Sequence, residues 1–166
     1  NPNGGGVFNK INSAFPFYGI ESLIGTVESH FKIRIDGYAM INFALFKAVI
    51  DKFGGVTVSV DGNIASHLRS AYGFDVQAGP SVPLNGDEAL AYCRSRKCYN
   101  DGDVTRTANQ RRVLVSLLQR AKNIKASEVA EYVATVMPYL ETSYTEAEAI
   151  TLGTKAIVSG WGEFKV

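Results

Sequence analysis

One stretch, Tyr92 to Leu118, constrains the chain most, because a helical apolar pattern and a basic cluster meet in it. The apolar residues that recur with helical spacing are Val113, Leu114, Leu117, Leu118 and Ala121. Six lysines and arginines lie in the same stretch: Arg94, Arg96, Lys97, Arg106, Arg111 and Arg112. Because the formal net charge of the whole chain is only +1, this concentration predicts an anionic ligand or partner.

Two of these arginines, Arg94 and Arg96, are separated by a single residue. In an extended segment such side chains point to the same side, roughly 7 Å apart. Two guanidinium groups at that distance suit a pyrophosphate. The spacing therefore predicts a pyrophosphate-binding pair.

The helix is predicted from about Asp103 to Lys122, and its apolar stripe continues backwards through Gln110, Arg106 and Asp103. The predicted buried face thus becomes polar at the helix N-terminus, where backbone N–H groups favour an anion. A buried Arg106 needs an acceptor, which either an anionic ligand or Asp103 at i, i+3 supplies. Both alternatives stay open on sequence alone. Arg111 and Arg112 fall off the stripe and are predicted to be solvated.

The 166 residues, 46% of them hydrophobic, are enough for one sizeable core and predict a single domain over residues 1–166. No apolar run approaches the roughly 20 residues that span a bilayer. The first residues lack the pattern of a signal peptide and begin in a loop. We expect a cytoplasmic chain or a soluble part of something longer.

Two cysteines, Cys93 and Cys98, flank Arg94 to Lys97. A C-x4-C pair without further cysteines or a neighbouring histidine is poor zinc-ligand material. A disulfide that clamps this turn is feasible and would indicate an oxidising compartment. Two free thiols fit the sequence equally well.

Elsewhere, apolar periodicity and breaker residues predict alternating helices and strands. Helices are predicted at 20–31, 43–53, 84–92, 127–139 and 145–158, strands at 32–42 and 56–60, and loops at 1–19 and 61–83. Strand, helix and strand in the order 32–42, 43–53, 56–60 predict a parallel pair in an α/β sheet. The long loop 61–83 is expected to border a cleft.

Four blocks of the sequence resemble the LytR-CpsA-Psr family of cell-wall glycopolymer ligases. They are KINSAF at 10–15, IDGYAMINFALFKAVIDKFGGVTVSV at 35–60, LNGDEALAYCRSR at 84–96 and DVTRTANQRRVL at 103–114. They follow one another in family order. The resemblance implies an α/β domain with a central mixed sheet flanked by helices on both faces.

The resemblance also implies functional residues. Arg94 and Arg96 would bind the pyrophosphate of a polyprenyl-linked glycan, with Gln110 on the same head group. Lys10 and Asn12 match the family's K-x-N, and Lys10 would reach the pyrophosphate. Asp103 and Arg106 match its D-x-x-R and would lie beside the reacting phosphorus. For Asp103, a helix N-cap or an ion pair with Arg106 remains an alternative.

Two departures from the family pattern matter. Asn109 stands where the family commonly has arginine, so this side chain supplies no cation. The early strands that carry two magnesium-binding aspartates have no counterpart in this sequence. We therefore expect the C-terminal part of the catalytic domain, with an incomplete sheet, no metal ligands of its own, and the missing strands absent or on a second chain. This chain alone is expected to be inactive.

The resemblance implies a phosphotransferase that attaches teichoic acid, capsule or arabinogalactan polymers to peptidoglycan, with Mg²⁺ as cofactor and pyrophosphatase as a side activity. It also implies a location on the extracellular face of the bacterial membrane, with an N-terminal transmembrane anchor outside this chain.

The expected lipid pocket would be formed by residues of two helices, and ordinary core is the alternative for each of them: Phe43, Phe46, Val49, Ile50, Leu114, Leu117 and Leu118. The competing class is a non-catalytic module that binds polyprenyl phosphate or nucleic acid. Nucleic acid is disfavoured, because the aromatic residues do not alternate with the arginines as stacking platforms and the other eleven basic residues are scattered.

Overall fold

A computed structural model describes residues 11–96 and 102–159 of the chain. The chain divides into two units, Asn1–Tyr38 and Ala39–Val166. The first unit contains a 3-10 turn at Ile11–Ser13 and helix α1 at Ala14–Phe31, which is interrupted at Gly19 (φ 80°, ψ −177°). The predicted helix 20–31 is the part of α1 that follows this interruption. The predicted loop 1–19 is wrong from residue 11 onwards, since Pro16 lies in the first turn, where a helix tolerates proline.

The second unit contains four strands and six α-helices among its described residues. The strands are β1 (Ala39–Met40), β2 (Val56–Val60), β3 (Gly79–Leu84) and β4 (Glu141–Thr142). The helices are α2 (Phe43–Lys52), α3 (Gly62–Tyr72), α4 (Gly86–Arg94), α5 (Gly102–Ala121), α6 (Val129–Val136) and α7 (Glu146–Val158). Short 3-10 turns at Ala126–Glu128 and Met137–Tyr139 flank α6. The predicted α/β class is confirmed.

The strand pairing differs from the prediction. β2 pairs antiparallel with β3, and β1 pairs antiparallel with β4, so the predicted parallel pair is wrong. The predicted strand 32–42 is reduced to Ala39–Met40, since Lys32 closes α1 in the left-handed conformation (φ 55°) and β4 offers only two residues for pairing. β3 lies in the segment predicted as a loop, and it accommodates Pro80 and Pro83 as an edge strand can.

Helix α3 was also missed by the loop prediction, although its signals are in the sequence. The Asp61 side chain accepts hydrogen bonds from the backbone N–H groups of Asn63 (2.9 Å) and Ile64 (3.0 Å). Gly73 ends the helix in the left-handed conformation at φ 74°. The buried residues of α3, Ile64, Ala65 and Leu68, recur with helical spacing. The loop prediction was based on the glycines and prolines between Gly73 and Pro83, which follow this helix and do not interrupt it.

The core lies between the β2–β3 pair and helices α2, α3, α4 and α5. Its fully buried members include Ile50, Val56, Ile64, Leu68, Leu84, Tyr92 and Val113. Tyr92 is 0% exposed, and its hydroxyl donates to the Ser59 carbonyl at 2.8 Å, which ties α4 to β2. Because burial disfavours the phenolate, the pKa of Tyr92 lies above its usual value.

The remaining helix predictions are largely confirmed. Helix 43–53 appears as α2, 84–92 as α4, 103–122 as α5 and 145–158 as α7, which begins with the predicted capping box between Thr145 and Glu148. Predicted helix 127–139 is shorter, because 3-10 turns replace both of its ends. Within the described ranges, the longest helices are too short or too polar to cross a membrane.

Candidate anion-binding site

Helix α4 places the predicted arginine pair at its C-terminal end. The helix begins with a reciprocal capping box, in which Asn85 Oδ1 accepts from the Glu88 N–H at 3.0 Å and Glu88 Oε2 accepts from the Asn85 N–H at 2.9 Å. The N–H of Gly86 donates to Asp51 Oδ1 at 2.7 Å, and Lys47 Nζ lies 2.8 Å from Asp87 Oδ1. These contacts fix α4 antiparallel to α2, so the C-terminal end of α4 lies beside the start of α2.

Arg94 is the last residue of α4, and both Arg94 and Arg96 are exposed. Ser95 between them is 1% exposed and has extended backbone angles (φ −64°, ψ 107°). Its hydroxyl donates to the Ala91 carbonyl at 2.9 Å, and its N–H donates to the Tyr92 carbonyl at 3.3 Å. An inward Ser95 thus separates two outward arginines. The predicted extended segment is wrong for Arg94, which is helical, but the outward exposure of both arginines fits the predicted pair.

The Arg94 guanidinium lies over an aromatic ring at the start of α2. Its Cζ is 5.0 Å from the centroid of the Phe43 ring. Among the ion pairs between described residues, none involves Arg94. The positive charge of Arg94 is therefore not neutralised by a carboxylate among the described residues, and its N–H groups can donate to an anion.

Helix α5 packs on α4 with a face one residue removed from the predicted stripe. Its buried residues include Asn109, Val113 and Ser116, whereas Gln110 and Leu114 are exposed. Arg106 is half-buried, with its Nε atom covered. The predicted continuation of the stripe through Gln110 is therefore wrong. Spacing alone could not separate two adjacent registers in a helix with apolar residues at both 113 and 114.

Asn109 is a residue whose role the sequence did not reveal. It is 0% exposed, and its Nδ2 donates to the Tyr92 carbonyl at 3.4 Å. Its Oδ1 accepts from Arg112 Nη1 at 2.9 Å, and Arg112 is exposed, as predicted. Gln110 Nε2 lies 3.5 Å from the Cys93 carbonyl. Together these amides approach the Tyr92 and Cys93 carbonyls in the last turn of α4, where the regular hydrogen-bond ladder of the helix ends.

The other predicted site residues have mixed placements. Asp103 lies in the first turn of α5, but its side chain is outside the described residues, as is that of Asn12. Lys10, Lys97 and Cys98 also lie outside them. Described side chains include no group of three or more His, Cys, Asp or Glu residues that could hold a metal ion.

The predicted lipid-pocket residues divide into three groups. Phe43 and Leu114 are 58% and 55% exposed. Phe46, Val49, Leu117 and Leu118 are half-buried, and Phe46 and Leu117 pack against the core. Ile50 is 0% exposed and belongs to the core, which is the alternative that the sequence left open for it. An exposed Phe43 and Leu114 remain available to a ligand.

A cleft of about 720 Å³ lies along another face of α2. It is lined by Asn42, Ala44, Leu45, Ala48, Pro138, Tyr139, Leu140 and Glu141. This volume falls within the range of small-molecule sites, roughly 300 to 1,000 Å³. Sequence reasoning missed the contribution of 138–141, because no local pattern connects this segment with α2.

Cys93 carries a free, buried thiol in the structure, and burial raises its pKa from 9.0 to about 12. Such a thiol stays protonated and unreactive near neutral pH. Its predicted partner Cys98 lies outside the described residues, so the disulfide stays a prediction.

The buried thiol predicts a loss of stability at alkaline pH. Above pH 9 the unfolded chain releases the Cys93 proton while the folded chain retains it up to about pH 12. The unfolded state then binds fewer protons, so the free energy of unfolding falls as pH rises, by about 1 kcal/mol between pH 9 and 10. Urea unfolding of wild type and Cys93→Ala at both pH values should show the larger loss in the wild type, because buried Tyr92 adds the same smaller loss to both proteins. Equal losses of unfolding free energy in the two proteins would contradict a free Cys93 and favour its pairing with Cys98.

Comparisons with known proteins agree on one family. The model of the LytR_cpsA_psr family matches residues 3–160. The polyisoprenyl-teichoic acid–peptidoglycan teichoic acid transferase TagU of Bacillus licheniformis is 33% identical over 123 residues, which are 74% of this chain and 38% of that protein. The corresponding transferase TagV of Bacillus subtilis is 34% identical over 163 residues, 95% of this chain and 40% of that protein.

The fold agrees as well. A solved structure of TagT bound to LI-WTA superposes with a TM-score of 0.74 at 26% identity, covering 92% of this chain and 56% of that one. The chain thus spans about two fifths of the length of the curated relatives described above.

Proposed function

Because this chain belongs to the LytR_cpsA_psr family, we propose that it is part of a phosphotransferase that attaches polyprenyl-pyrophosphate-linked glycopolymers to peptidoglycan. The observation that carries the proposal is the outward arginine pair at the end of α4, with Ser95 buried between its members. The names of TagU and TagV, teichoic acid–peptidoglycan transferases, support this reaction class and favour teichoic acid over capsule or arabinogalactan.

In the proposed reaction, an acceptor hydroxyl of peptidoglycan attacks the phosphorus that carries the glycan. A new P–O bond forms to the acceptor, the P–O bond to the lipid phosphate breaks, and polyprenyl phosphate leaves. Arg94 and Arg96 neutralise the charge that develops on the leaving phosphate. Asp103 receives the hydroxyl proton, and Arg106 lies beside the reacting phosphorus. Water in place of the hydroxyl gives the pyrophosphatase side reaction.

The remaining ligand contacts are proposed as follows. Gln110 and Lys10 bind the head group together with the arginine pair. The polyprenyl tail contacts the exposed Phe43 and Leu114, and its natural continuation is the mostly apolar cleft beside α2. Phe46, Val49, Leu117 and Leu118 are half-buried, and their exposed parts would add to the contact with the tail.

We propose Mg²⁺ as the cofactor of the complete enzyme, in which it would neutralise pyrophosphate charge. The described residues provide no group of three or more His, Cys, Asp or Glu side chains that could hold it. The remaining ligands and strands would come from elsewhere in the protein or from a second chain, and the enzyme would act on the outer face of the cell membrane, to which it would be anchored.

The proposal is tested with this chain combined with the expected metal-binding strands, a polyprenyl-pyrophosphate glycan labelled in the glycan, peptidoglycan and Mg²⁺. Label should move to peptidoglycan, and polyprenyl phosphate should appear in equal amount. Retention of the lipid without transfer would indicate a binding module instead. Salt-sensitive DNA binding without lipid affinity would contradict the proposal.

A further inference from the structure

The first residue of α2 is held in a defined place. Asn42 caps the helix, with its Oδ1 accepting from the Leu45 N–H at 2.8 Å. Phe43 follows immediately, and its side chain is 58% exposed. Because most of this large apolar ring is exposed, it contributes little to packing of the core.

The Phe43 ring contacts Arg94. The guanidinium carbon is 5.0 Å from the Phe43 ring centroid, within the range of a cation–π interaction. At the other end of the same helix pair, the Asp51 carboxylate accepts from the Gly86 N–H and Lys47 pairs with Asp87. Because that end is fixed by hydrogen bonds, the position of the ring relative to Arg94 is set by the antiparallel packing of α2 on α4.

A ring holds an arginine differently from a carboxylate. A carboxylate orients the guanidinium by occupying its N–H groups and neutralising its charge. The π face attracts the charge without neutralising it and supplies no acceptor oxygen. An arginine held this way keeps its charge and its hydrogen-bonding capacity for an incoming phosphate, and it loses less rotamer freedom when the phosphate binds.

We propose that Phe43 is a positioning residue for Arg94, which it holds over its ring in readiness for the pyrophosphate. This inference rests on the proposed function, since it assumes that Arg94 binds the substrate anion. It assigns to Phe43 a role in head-group binding that is separate from any contact with the lipid tail.

The test uses inorganic pyrophosphate, which has no tail, and calorimetric titration of the 166-residue chain. Phe43→Leu should weaken pyrophosphate binding by about 2- to 5-fold, as expected for loss of an exposed cation–π contact. Phe43→Trp should restore binding, because indole is the best cation–π partner. Tyr72→Leu is the matched control, since Tyr72 is an exposed ring of the same unit (41% exposed) that contacts His67 and Phe74 rather than an arginine. Its binding should equal that of the wild type.

The double variant separates the positioning role from a general structural one. In an Arg94→Ala background, Phe43→Leu should cause no further loss, because the residue it positions is gone. A second readout is the NMR signal of the Arg94 Nε–H group, which the ring current should displace in the wild type and leave undisplaced in Phe43→Leu.

The outcomes distinguish the two proposals. If Arg94→Ala weakens pyrophosphate binding but Phe43→Leu does not, the positioning role is overturned and the proposed function stands. A loss that Phe43→Leu shows only with farnesyl pyrophosphate also overturns it, since Phe43 then contacts the tail. If Arg94→Ala binds pyrophosphate as the wild type does, the anion site of the proposed function is itself wrong.

Discussion

Replacing Arg94 and Arg96 together by alanine should lower glycopolymer transfer by at least about a hundredfold. Each charge-assisted hydrogen bond to a phosphate contributes about 1.5 to 3 kcal/mol, and two such losses amount to two or more orders of magnitude in rate. Both side chains are exposed, so the double variant should fold, with a melting temperature that changes by only a few degrees. The measurement is the initial rate of label transfer from polyprenyl-pyrophosphate glycan to peptidoglycan, with the chain combined with the expected metal-binding strands.

The matched control for this variant is Arg111→Ala. Arg111 lies in the same basic cluster and is exposed on α5, outside the proposed pair. Its loss removes one positive charge without removing a proposed phosphate contact, so we expect a change of less than about twofold at physiological salt. If Arg111→Ala and the double variant lost activity to the same extent, the general charge of the cluster would be responsible, and the paired clamp would be wrong.

The second large effect is expected from Gly86→Ala. A Cβ atom at this position would lie 2.5 Å from the Lys47 carbonyl oxygen and 2.8 Å from the Lys47 Cα. Both atoms belong to the backbone of α2, so neither can rotate away, and the two helices must separate. We expect a loss of about 3 kcal/mol in the free energy of unfolding, as for overpacked cores. Urea unfolding measures it.

Gly62→Ala provides the comparison for this stability prediction. Gly62 is the first residue of α3, and a Cβ atom there meets nothing within 4 Å. Alanine should therefore leave the stability unchanged or raise it by a few tenths of a kcal/mol. Equal behaviour of the two variants would show that α2 and α4 are not in close contact at Gly86, and the positioning of Arg94 beside Phe43 would lose its support.

Local signals allowed the sequence to predict much of the second unit. Helix α4 was recognisable from Asn85 and Glu88, because a capping box depends only on residues three apart. The termination of α2 was recognisable from Gly54 and Gly55, which adopt φ values of 74° and 86°. Helix ends that depend only on neighbouring residues could therefore be predicted from the sequence.

Features that depend on distant partners were not predicted. β3 carries two prolines and forms only because β2 lies beside it, with Val58 opposite Val82. Asn109 is buried because its amide meets the Tyr92 carbonyl at the end of another helix. From the sequence alone, Asn109 could be recognised only as a departure from the family pattern. Such pairings require knowledge of which elements pack together, which spacing alone does not give.

Ser95 has a consequence for the thermodynamics of binding. Its hydroxyl and its N–H are both engaged with carbonyls of the last turn of α4, so the backbone between the two arginines is already ordered before any anion arrives. Ordering the backbone of one residue costs about 1 to 2 kcal/mol. If these residues lay in a mobile loop, the binding free energy would be less favourable by that amount for each residue that became ordered on binding. For this arginine pair, the entropy lost on binding therefore comes mainly from the two side chains and not from the backbone between them.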